Sequence, residues 1–276
     1  MVKKIKKAKH LITSNLRLKK SMDALHHHHA STRNILRVFK RVRNKEYTNE
    51  ELAQFEILEE YRDRLLQSDE IISYDFFGSD QKASVSEICE KAASPKIWCQ
   101  FLHLIIKEMN ASCVLEIGTN LGVSGQYYLT AIEDRPYHQF ITLEGIPRLC
   151  EIAREQFSKL NVSVETEVIQ GDFKDTLPEV LKIEDLELNF VFIDGNHKYE
   201  PTVSYFNQLK PFYARNAVIV FDDIYWTPDM QQAWEKVKED PDVICAIDFF
   251  KAGIVIYNTE FKAKEKLELE MFLSRD

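Results

Sequence analysis

The sequence predicts an α/β fold, in which a mostly parallel sheet of seven strands ends in an antiparallel hairpin and follows a helical N-terminal extension. Short apolar runs alternate with helical patterns from residue 112 onward, and this alternation is typical of a parallel sheet covered by helices on both faces. Only a few residues around Lys251 separate the last two apolar runs. Because a parallel connection needs a crossover of about a dozen residues or more, these two strands are expected to pair antiparallel.

The seven strands are expected where the apolar runs lie, at residues 113–117, 139–143, 163–169, 188–193, 217–221, 243–249 and 253–257. The helices between them are expected at residues 123–132, 148–160, 177–181, 202–209 and 231–238. Upstream, Thr48 and Ser84 each precede a glutamate by three residues, which is the capping-box spacing at a helix start. The chain therefore divides into a helical extension over residues 1–110 and an α/β domain over residues 111–276.

Composition indicates a globular protein of the cell interior. Hydrophobic residues make up 45% of the chain, which is enough for a sizeable core. No apolar run approaches the roughly 20 residues that a membrane span needs, and the basic N-terminus lacks the apolar stretch of a secretory signal. The five cysteines are scattered and include no C-x-x-C pair, so reduced thiols, no zinc site and a cytoplasmic location are expected.

Charge is distributed unevenly along the chain. Residues 1–43 contain 13 Lys and Arg and one acid, so their net charge of +12 leaves −20 on the remainder of a chain that carries −8. The acidic body argues against general nucleic-acid binding by the α/β domain. We expect the basic segment to form a helix that packs on the acidic body or on a homodimer partner, and contact with nucleic acid or a membrane is the weaker alternative.

The segment over residues 114–122, Val-Leu-Glu-Ile-Gly-Thr-Asn-Leu-Gly, carries the strongest functional signal. A strand, a glycine turn and a helix start together form a nucleotide-type site, because glycines let backbone N–H groups approach the ligand closely. The dinucleotide fingerprint G-x-G-x-x-G is absent from this segment. That absence and the closing hairpin count against an NAD-dependent oxidoreductase.

Acidic residues follow or end five consecutive predicted strands. In open α/β sheets, ligands bind outside the carboxyl ends of the strands, so these acids are candidates for one site, although a single such acid is more often a helix cap or a solvated loop residue. The acids are Glu116, Glu144, Asp172, Asp194 and the pair Asp222-Asp223.

Residues from about 114 to 258 resemble the class I superfamily of methyltransferases that depend on S-adenosyl-L-methionine (SAM), in particular its small-molecule O-methyltransferase-like branch. Residues 116–124 are similar to the E-x-G-x-x-x-G-x-S loop of that branch, and residues 194–199 resemble the D-G-x-H-x-Y run of a mostly bacterial family. The resemblance implies a Rossmann-like sheet and SAM as the cofactor. By that match the first loop holds the methionine end of SAM, Glu144 the ribose hydroxyls and Asp172 the adenine amino group. The implied cofactor site consists of Glu116, Gly118, Thr119, Asn120, Gly122, Ser124, Glu144, Gly171, Asp172 and Asp194.

The resemblance implies two ways to activate an acceptor hydroxyl. Catechol-type relatives hold Mg²⁺ with an Asp after strand four and an Asp-Asn pair after strand five, and the matching residues here are Asp194, Asp222 and Asp223. The catalytic Lys of that branch is replaced by His197, and an imidazole is the better base near neutral pH. We favour catalysis by His197 with Asp194, and Mg²⁺ held by the three aspartates is the alternative. A structural histidine and an N-capping aspartate pair are the non-catalytic interpretations.

The predicted function is SAM-dependent methyl transfer to a small-molecule acceptor, with a hydroxyl oxygen as the methylated atom. Two alternatives stay open at this point. One is a methyltransferase fold that binds SAM without catalysis and acts as a scaffold, which turnover with any acceptor would exclude. The other is an NAD-dependent oxidoreductase on a similar sheet, which a thermal-shift comparison of SAM with NAD would separate.

Overall fold

A computed structural model describes residues 29–133, 138–260 and 266–273 of the chain. These residues fall into two compact units, each of which is described by itself. The first unit spans residues 38–185, and the second spans residues 29–37 and 186–273. The predicted boundary between residues 110 and 111 does not coincide with this division, and the division into an extension and a catalytic domain stays a prediction.

The described part of the basic segment is helical, as predicted. Its helix covers Ala30–Arg43 and leaves Arg33, Arg37 and Lys40 exposed. The opposite side of the helix is buried and consists of Ile35, Leu36, Val38, Phe39 and Val42. Residues 1–28, which carry the rest of the basic segment, lie outside the described residues.

The first unit contains a short antiparallel pair of strands and a set of three parallel strands. The pair is β1 (Ile71–Ser73) with β2 (Lys82–Ser84). The parallel strands are β3 (Cys113–Ile117), β4 (Gln139–Glu144) and β5 (Glu165–Gln170), with β4 in the middle. The helices are Asn49–Leu65, Val85–Ala92, Lys96–Glu108, Val123–Ile132, Pro147–Lys159 and Phe173–Val180.

The described residues of the second unit form five strands and two α-helices besides the start of the helix Ala30–Arg43. The strands are β6 (Leu188–Ile193), β7 (Tyr213–Phe221), β8 (Val243–Asp248), β9 (Gly253–Tyr257) and β10 (Leu267–Glu270). Strand β6 pairs parallel with β7, and β9 pairs antiparallel with both β7 and β8. The helices are Tyr199–Leu209 and Pro228–Lys238.

The predicted fold class is confirmed, since the strands are mostly parallel and β8 and β9 form the closing antiparallel hairpin. All seven predicted strands are present. Strands β3, β6 and β9 have the predicted bounds, and the bounds of the other four differ by one to four residues. Strand β10, which pairs parallel with β8, is an addition to the predicted seven. Its four residues alternate Leu and Glu, and so short an alternation does not stand out in a sequence with many Leu and Glu residues.

Helix starts in the first unit follow the predicted capping pattern. Thr48 accepts a hydrogen bond from the Glu51 backbone N–H at 3.1 Å, and the Thr48 N–H donates to the Glu51 side chain at 2.8 Å. Ser84 and Glu87 make the same reciprocal pair at the start of Val85–Ala92. These bonds satisfy backbone N–H groups that the first helical turn leaves without partners.

The core explains why the glycine loop is held firmly. Every residue of β3 and of the helix Val123–Ile132 is buried, as expected for elements that pack on both sides.

The five cysteines are all buried and free of disulfides. Among the described residues, no helix combines the length and the apolarity that crossing a membrane requires.

Candidate active site

The loop after β3 has the backbone conformation that its glycines predict. Gly118 and Gly122 have φ angles of +105° and +74°, a region that side chains strongly disfavour. Space is also restricted, because a Cβ atom on Gly122 would lie 3.0 Å from both Ala153 and Phe157. Gly122 directly precedes the helix Val123–Ile132, so the loop brings backbone N–H groups to a helix start, where an anionic or polar ligand group is favoured.

Glu116 and Ser124 form a buried pair beneath this loop. The Ser124 hydroxyl donates to Glu116 Oε1 at 2.5 Å, and the Thr142 hydroxyl donates to Oε2 at 2.7 Å. Glu116 is completely buried, and this burial raises its pKa to about 8 although the two hydroxyl hydrogen bonds oppose the shift. A carboxyl group that is buried and bonded in this way fixes the shape of the loop.

Thr119 extends the same buried network. Its hydroxyl lies 2.6 Å from the Thr142 hydroxyl, and Thr119 is 1% exposed. The sequence predicts the positions of Glu116, Thr119 and Ser124 at the loop but not their connection through Thr142, which belongs to the neighbouring strand. Contact between these three side chains and a cofactor stays a prediction.

Glu144 at the end of β4 accepts a hydrogen bond from the glycine loop. Its Oε2 accepts from the Asn120 N–H at 2.8 Å, and its Oε1 accepts from the Ile146 N–H at 2.9 Å. Burial raises the pKa of Glu144, and these backbone hydrogen bonds partly offset the rise. Each carboxylate oxygen keeps a second lone pair, so Glu144 can still accept hydrogen bonds from a ligand hydroxyl.

Two aromatic side chains that the sequence did not single out lie beside Glu144. Phe76 and Phe77, in the segment between β1 and β2, are half-exposed and pack edge-to-face at 5.0 Å. A Cβ atom on Gly145 would lie 2.4 Å from the Phe77 ring. A side chain at position 145 would therefore displace the Phe77 ring from the backbone that it packs against, and the ring pair forms an apolar wall next to Glu144.

The loop after β5 holds Gly171 and Asp172. Gly171 N–H donates to the Glu144 carbonyl at 2.9 Å, which connects this loop to the end of β4. Asp172 caps the helix Phe173–Val180 by accepting from the Lys174 N–H at 3.1 Å, and its other oxygen lies 3.3 Å from the Lys174 ammonium. The contact of Asp172 with an adenine amino group stays a prediction. In the structure the Asp172 carboxylate caps the helix.

In the second unit, Asp194 and His197 occupy the loop after β6. His197 Nε2 lies 3.6 Å from Asp194 Oδ1, and both side chains are partly exposed. The His197 ring stacks on Trp226 with ring centroids 6.2 Å apart. Asn196 and His197 have φ angles of +66° and +36°. This strained turn directs the imidazole toward Asp194, so the two predicted catalytic residues lie together.

Asp222 and Asp223 follow β7 and face a lysine. The Lys251 ammonium donates to both oxygens of Asp222 at 2.6 Å and lies 3.7 Å from Asp223 Oδ1. Burial lowers the pKa of Lys251, but the charges of Asp222 and Asp223 outweigh it, and the resulting pKa lies above the ordinary value. The sequence did not identify Lys251, because it stands 29 positions from Asp222 and belongs to the closing hairpin.

The three predicted metal ligands do not fit a divalent cation in this arrangement. Mg²⁺ and Ca²⁺ need several oxygen ligands around one point, and both oxygens of Asp222 already accept hydrogen bonds from Lys251. Among the described residues, no group of three or more His, Cys, Asp or Glu side chains is arranged to hold a metal ion. The assignment of Asp194, Asp222 and Asp223 as metal ligands stays a prediction that cation titration can test.

Comparison with known proteins is consistent with this geometry. Residues 115–224 match the model of a family described as a methyltransferase domain. This segment is therefore similar to a methyltransferase domain. A catechol O-methyltransferase of Mycobacterium tuberculosis (strain ATCC 25618 / H37Rv) is 33% identical to the chain over 125 residues, which is 45% of this chain and 54% of that protein. The chain thus matches about half the length of this relative.

Solved structures share the fold of more than half of this chain. The O-methyltransferase from Bacillus cereus in complex with SAH (S-adenosylhomocysteine) has a TM-score of 0.50 and 20% identity, over 58% of this chain and 80% of that chain. The O-methyltransferase TomG from Streptomyces achromogenes in complex with SAM has a TM-score of 0.52 and 22% identity, over 60% of this chain and 82% of that chain. At this level of identity the likeness concerns the fold.

Proposed function

We propose that the protein transfers the methyl group of SAM to a hydroxyl oxygen of a small-molecule acceptor. The observation that carries the proposal is the buried Glu144 carboxylate at the end of β4, which the glycine loop contacts through the Asn120 N–H. An acid at this strand end is suited to a ribose, because a carboxylate can accept hydrogen bonds from both ribose hydroxyls. The family match and the SAM-bound and SAH-bound structures of similar fold support the choice of cofactor.

The remaining residues of the predicted cofactor site have distinct parts in this proposal. The N–H groups of the loop that contains Gly118 and Gly122 face the polar methionine end of the cofactor. Glu116 and Ser124 hold that loop from below, and the ring pair Phe76-Phe77 offers apolar contact beside the ribose. Acidic side chains near the sulfonium also favour a bound cation electrostatically.

SAM supplies a methyl carbon bonded to a positively charged sulfur. In the reaction that we propose, His197 takes the proton of the acceptor hydroxyl, and the oxygen lone pair forms a bond to the methyl carbon as the carbon–sulfur bond breaks. The sulfur keeps the bonding electron pair, so the products are the methyl ether and neutral SAH, with the proton on His197. Asp194, whose Oδ1 lies 3.6 Å from His197 Nε2, orients the imidazole.

A methyl-transfer assay tests the proposal and separates it from an inactive SAM-binding scaffold. Purified protein is incubated with SAM and a panel of hydroxylated aromatic and aliphatic compounds, and SAH is measured by mass spectrometry. We expect SAH formation with at least one acceptor, and a loss of about 10²-fold or more in kcat for His197→Ala. SAH formation that His197→Ala leaves unchanged would contradict the role of His197, and SAM binding without turnover across the panel would favour the scaffold.

A further inference from the structure

Lys251 is fixed by the turn that joins β8 and β9. Phe249 N–H donates to the Ala252 carbonyl at 2.9 Å, and Phe250 adopts a φ of +69° within this turn. The Lys251 carbonyl in turn accepts from the Ile224 N–H at 3.2 Å. The backbone on which Lys251 stands is therefore held both by its own hairpin and by the segment that follows β7.

The Lys251 side chain extends into the cluster of acids at the ends of β6 and β7. Ile193 and Phe221 are paired in register, and the Asp222 N–H donates to the Ile193 carbonyl at 3.0 Å. Asp194 and Asp222 therefore follow neighbouring positions on adjacent parallel strands. The side chains of Lys251 and Asp222 are only 14% and 7% exposed, so their ion pair is largely shielded from water.

Such burial requires charge compensation inside the cluster. Three carboxylates that are close together repel one another, and removing them from water is costly unless cations or hydrogen-bond donors face them. The Lys251 ammonium meets this need for Asp222 and Asp223, while His197 faces Asp194. The second unit thus contains its own cation, the Lys251 ammonium, for the Asp222-Asp223 pair that the family resemblance assigns to a metal.

We propose that the Lys251 ammonium is the resident cation of this cluster, and that it excludes divalent cations from Asp194, Asp222 and Asp223. An ammonium that donates to both oxygens of Asp222 occupies the position that a metal ligated by Asp222 would need. A second cation at that point would be repelled by the first. Lys251 is a positioning residue in this account, and its bearing on methyl transfer rests on the proposed function.

The exclusion is tested by Mn²⁺ titration of the full chain, followed by electron paramagnetic resonance of the free ion. We expect no specific Mn²⁺ binding by the wild-type protein. Lys251→Met removes the charge but keeps an unbranched side chain of similar length, so this variant is expected to bind Mn²⁺ at least roughly tenfold more tightly than wild type. Adding Asp222→Asn to Lys251→Met should abolish the Mn²⁺ binding that Lys251→Met gains, because the double variant lacks the Asp222 carboxylate that would ligate the ion.

Two further variants serve as controls. Lys251→Arg keeps the positive charge, so this variant should not bind Mn²⁺. Lys236→Ala removes a solvent-exposed lysine that pairs with Glu239 in the same unit, so this variant should behave as wild type. A wild-type protein that binds Mn²⁺ and loses it on Asp222→Asn would overturn the proposal, even if Lys251→Met failed to fold. A folded Lys251→Met protein without added Mn²⁺ affinity would also overturn it. The titration contains neither SAM nor acceptor, so its failure is distinct from failure of the proposed function.

Discussion

At the scale of single residues, Glu116 links the stability of the glycine loop to pH. Its pKa lies at about 8 in the folded protein, against an ordinary value of 4.5. A raised folded pKa means that the folded state keeps a proton which the unfolded chain has already lost. The stability that this proton provides is therefore complete below pH 4.5 and is lost as the pH rises toward 8.

The prediction is that replacing this carboxyl group removes its contribution to the pH dependence of the free energy of unfolding. Between pH 5 and pH 8 the free energy of unfolding should fall by ~2 kcal/mol or more in the wild-type protein relative to Glu116→Gln, because one pKa unit corresponds to about 1.4 kcal/mol. Urea unfolding of both proteins at the two pH values measures the difference. Parallel pH profiles for the two proteins would show that Glu116 does not titrate as described.

Gly122 allows a test of close packing that is separate from backbone strain. Gly122→Ala should destabilise the protein by about 2–4 kcal/mol, because the new methyl group combines a disfavoured φ with contacts to Ala153 and Phe157. Gly78→Ala is the matched control, since Gly78 has a similar φ of +67° and nothing within 4 Å of an added Cβ. It should cost only about 1–2 kcal/mol. Equal losses in thermal or urea unfolding would exclude the packing contribution.

How far the sequence predicts single residues depends on how far apart the interacting groups stand in the chain. Glu116, Glu144 and Asp194 are identifiable because each ends or follows an apolar run. Thr142 and Lys251 are not, because their partners stand 26 and 29 positions away. Only the strand register and the hairpin turn bring those groups together.

At the scale of elements, patterning and capping predict which helices form better than where they begin. Three helices begin at Phe173, Tyr199 and Pro228, three or four residues before the predicted starts at residues 177, 202 and 231. The predicted starts at Val85 and Val123 match the structure, because a capping residue or a glycine marks each of them. Strands β1, β2 and β10 have only three or four residues, which is too few to establish a period of two. Their pairing depends on neighbours that are distant in sequence.

The capping box of the helix Asn49–Leu65 provides the test at this scale. Thr48→Ala removes the acceptor for the Glu51 N–H and should lower the free energy of unfolding by ~1 kcal/mol, whereas Thr48→Ser keeps the hydroxyl and should stay close to wild type. Chemical unfolding of the three proteins in parallel measures this difference. A Thr48→Ala protein as stable as the Thr48→Ser protein would mean that the cap contributes nothing.

At the scale of the whole molecule, the predicted cofactor residues other than Asp194 lie in one unit, and the predicted catalytic pair of Asp194 and His197 lies in the other. The family match spans residues 115–224 and includes residues of both units. The α/β class was predictable, because alternating strands and helices are a pattern of the whole sequence. The acceptor was not, because its specificity depends on the shape of a site and not on a motif.

The proposed roles of Lys251 and His197 together predict methyl transfer that needs no metal ion. If His197 is the base and Lys251 fills the acidic cluster, turnover should be unchanged after exhaustive dialysis against EDTA. Product formation is compared before and after chelation, and again after Mg²⁺ is added back. Activity that disappears with EDTA and returns with Mg²⁺ would contradict the metal-independent mechanism.

Calorimetric titration of the folded protein with SAM and SAH tests the central claim most directly, with NAD as a third titrant. We expect micromolar-range binding of SAM or SAH and none of NAD. Glu144→Gln should weaken the binding of SAM by roughly 1–3 kcal/mol, because the buried ribose hydroxyls lose a charged acceptor. Glu179→Gln, an exposed glutamate of the same unit that pairs with Lys182, should bind as wild type. No heat with SAM or SAH on folded protein, or equal binding by Glu144→Gln and wild type, would contradict the account.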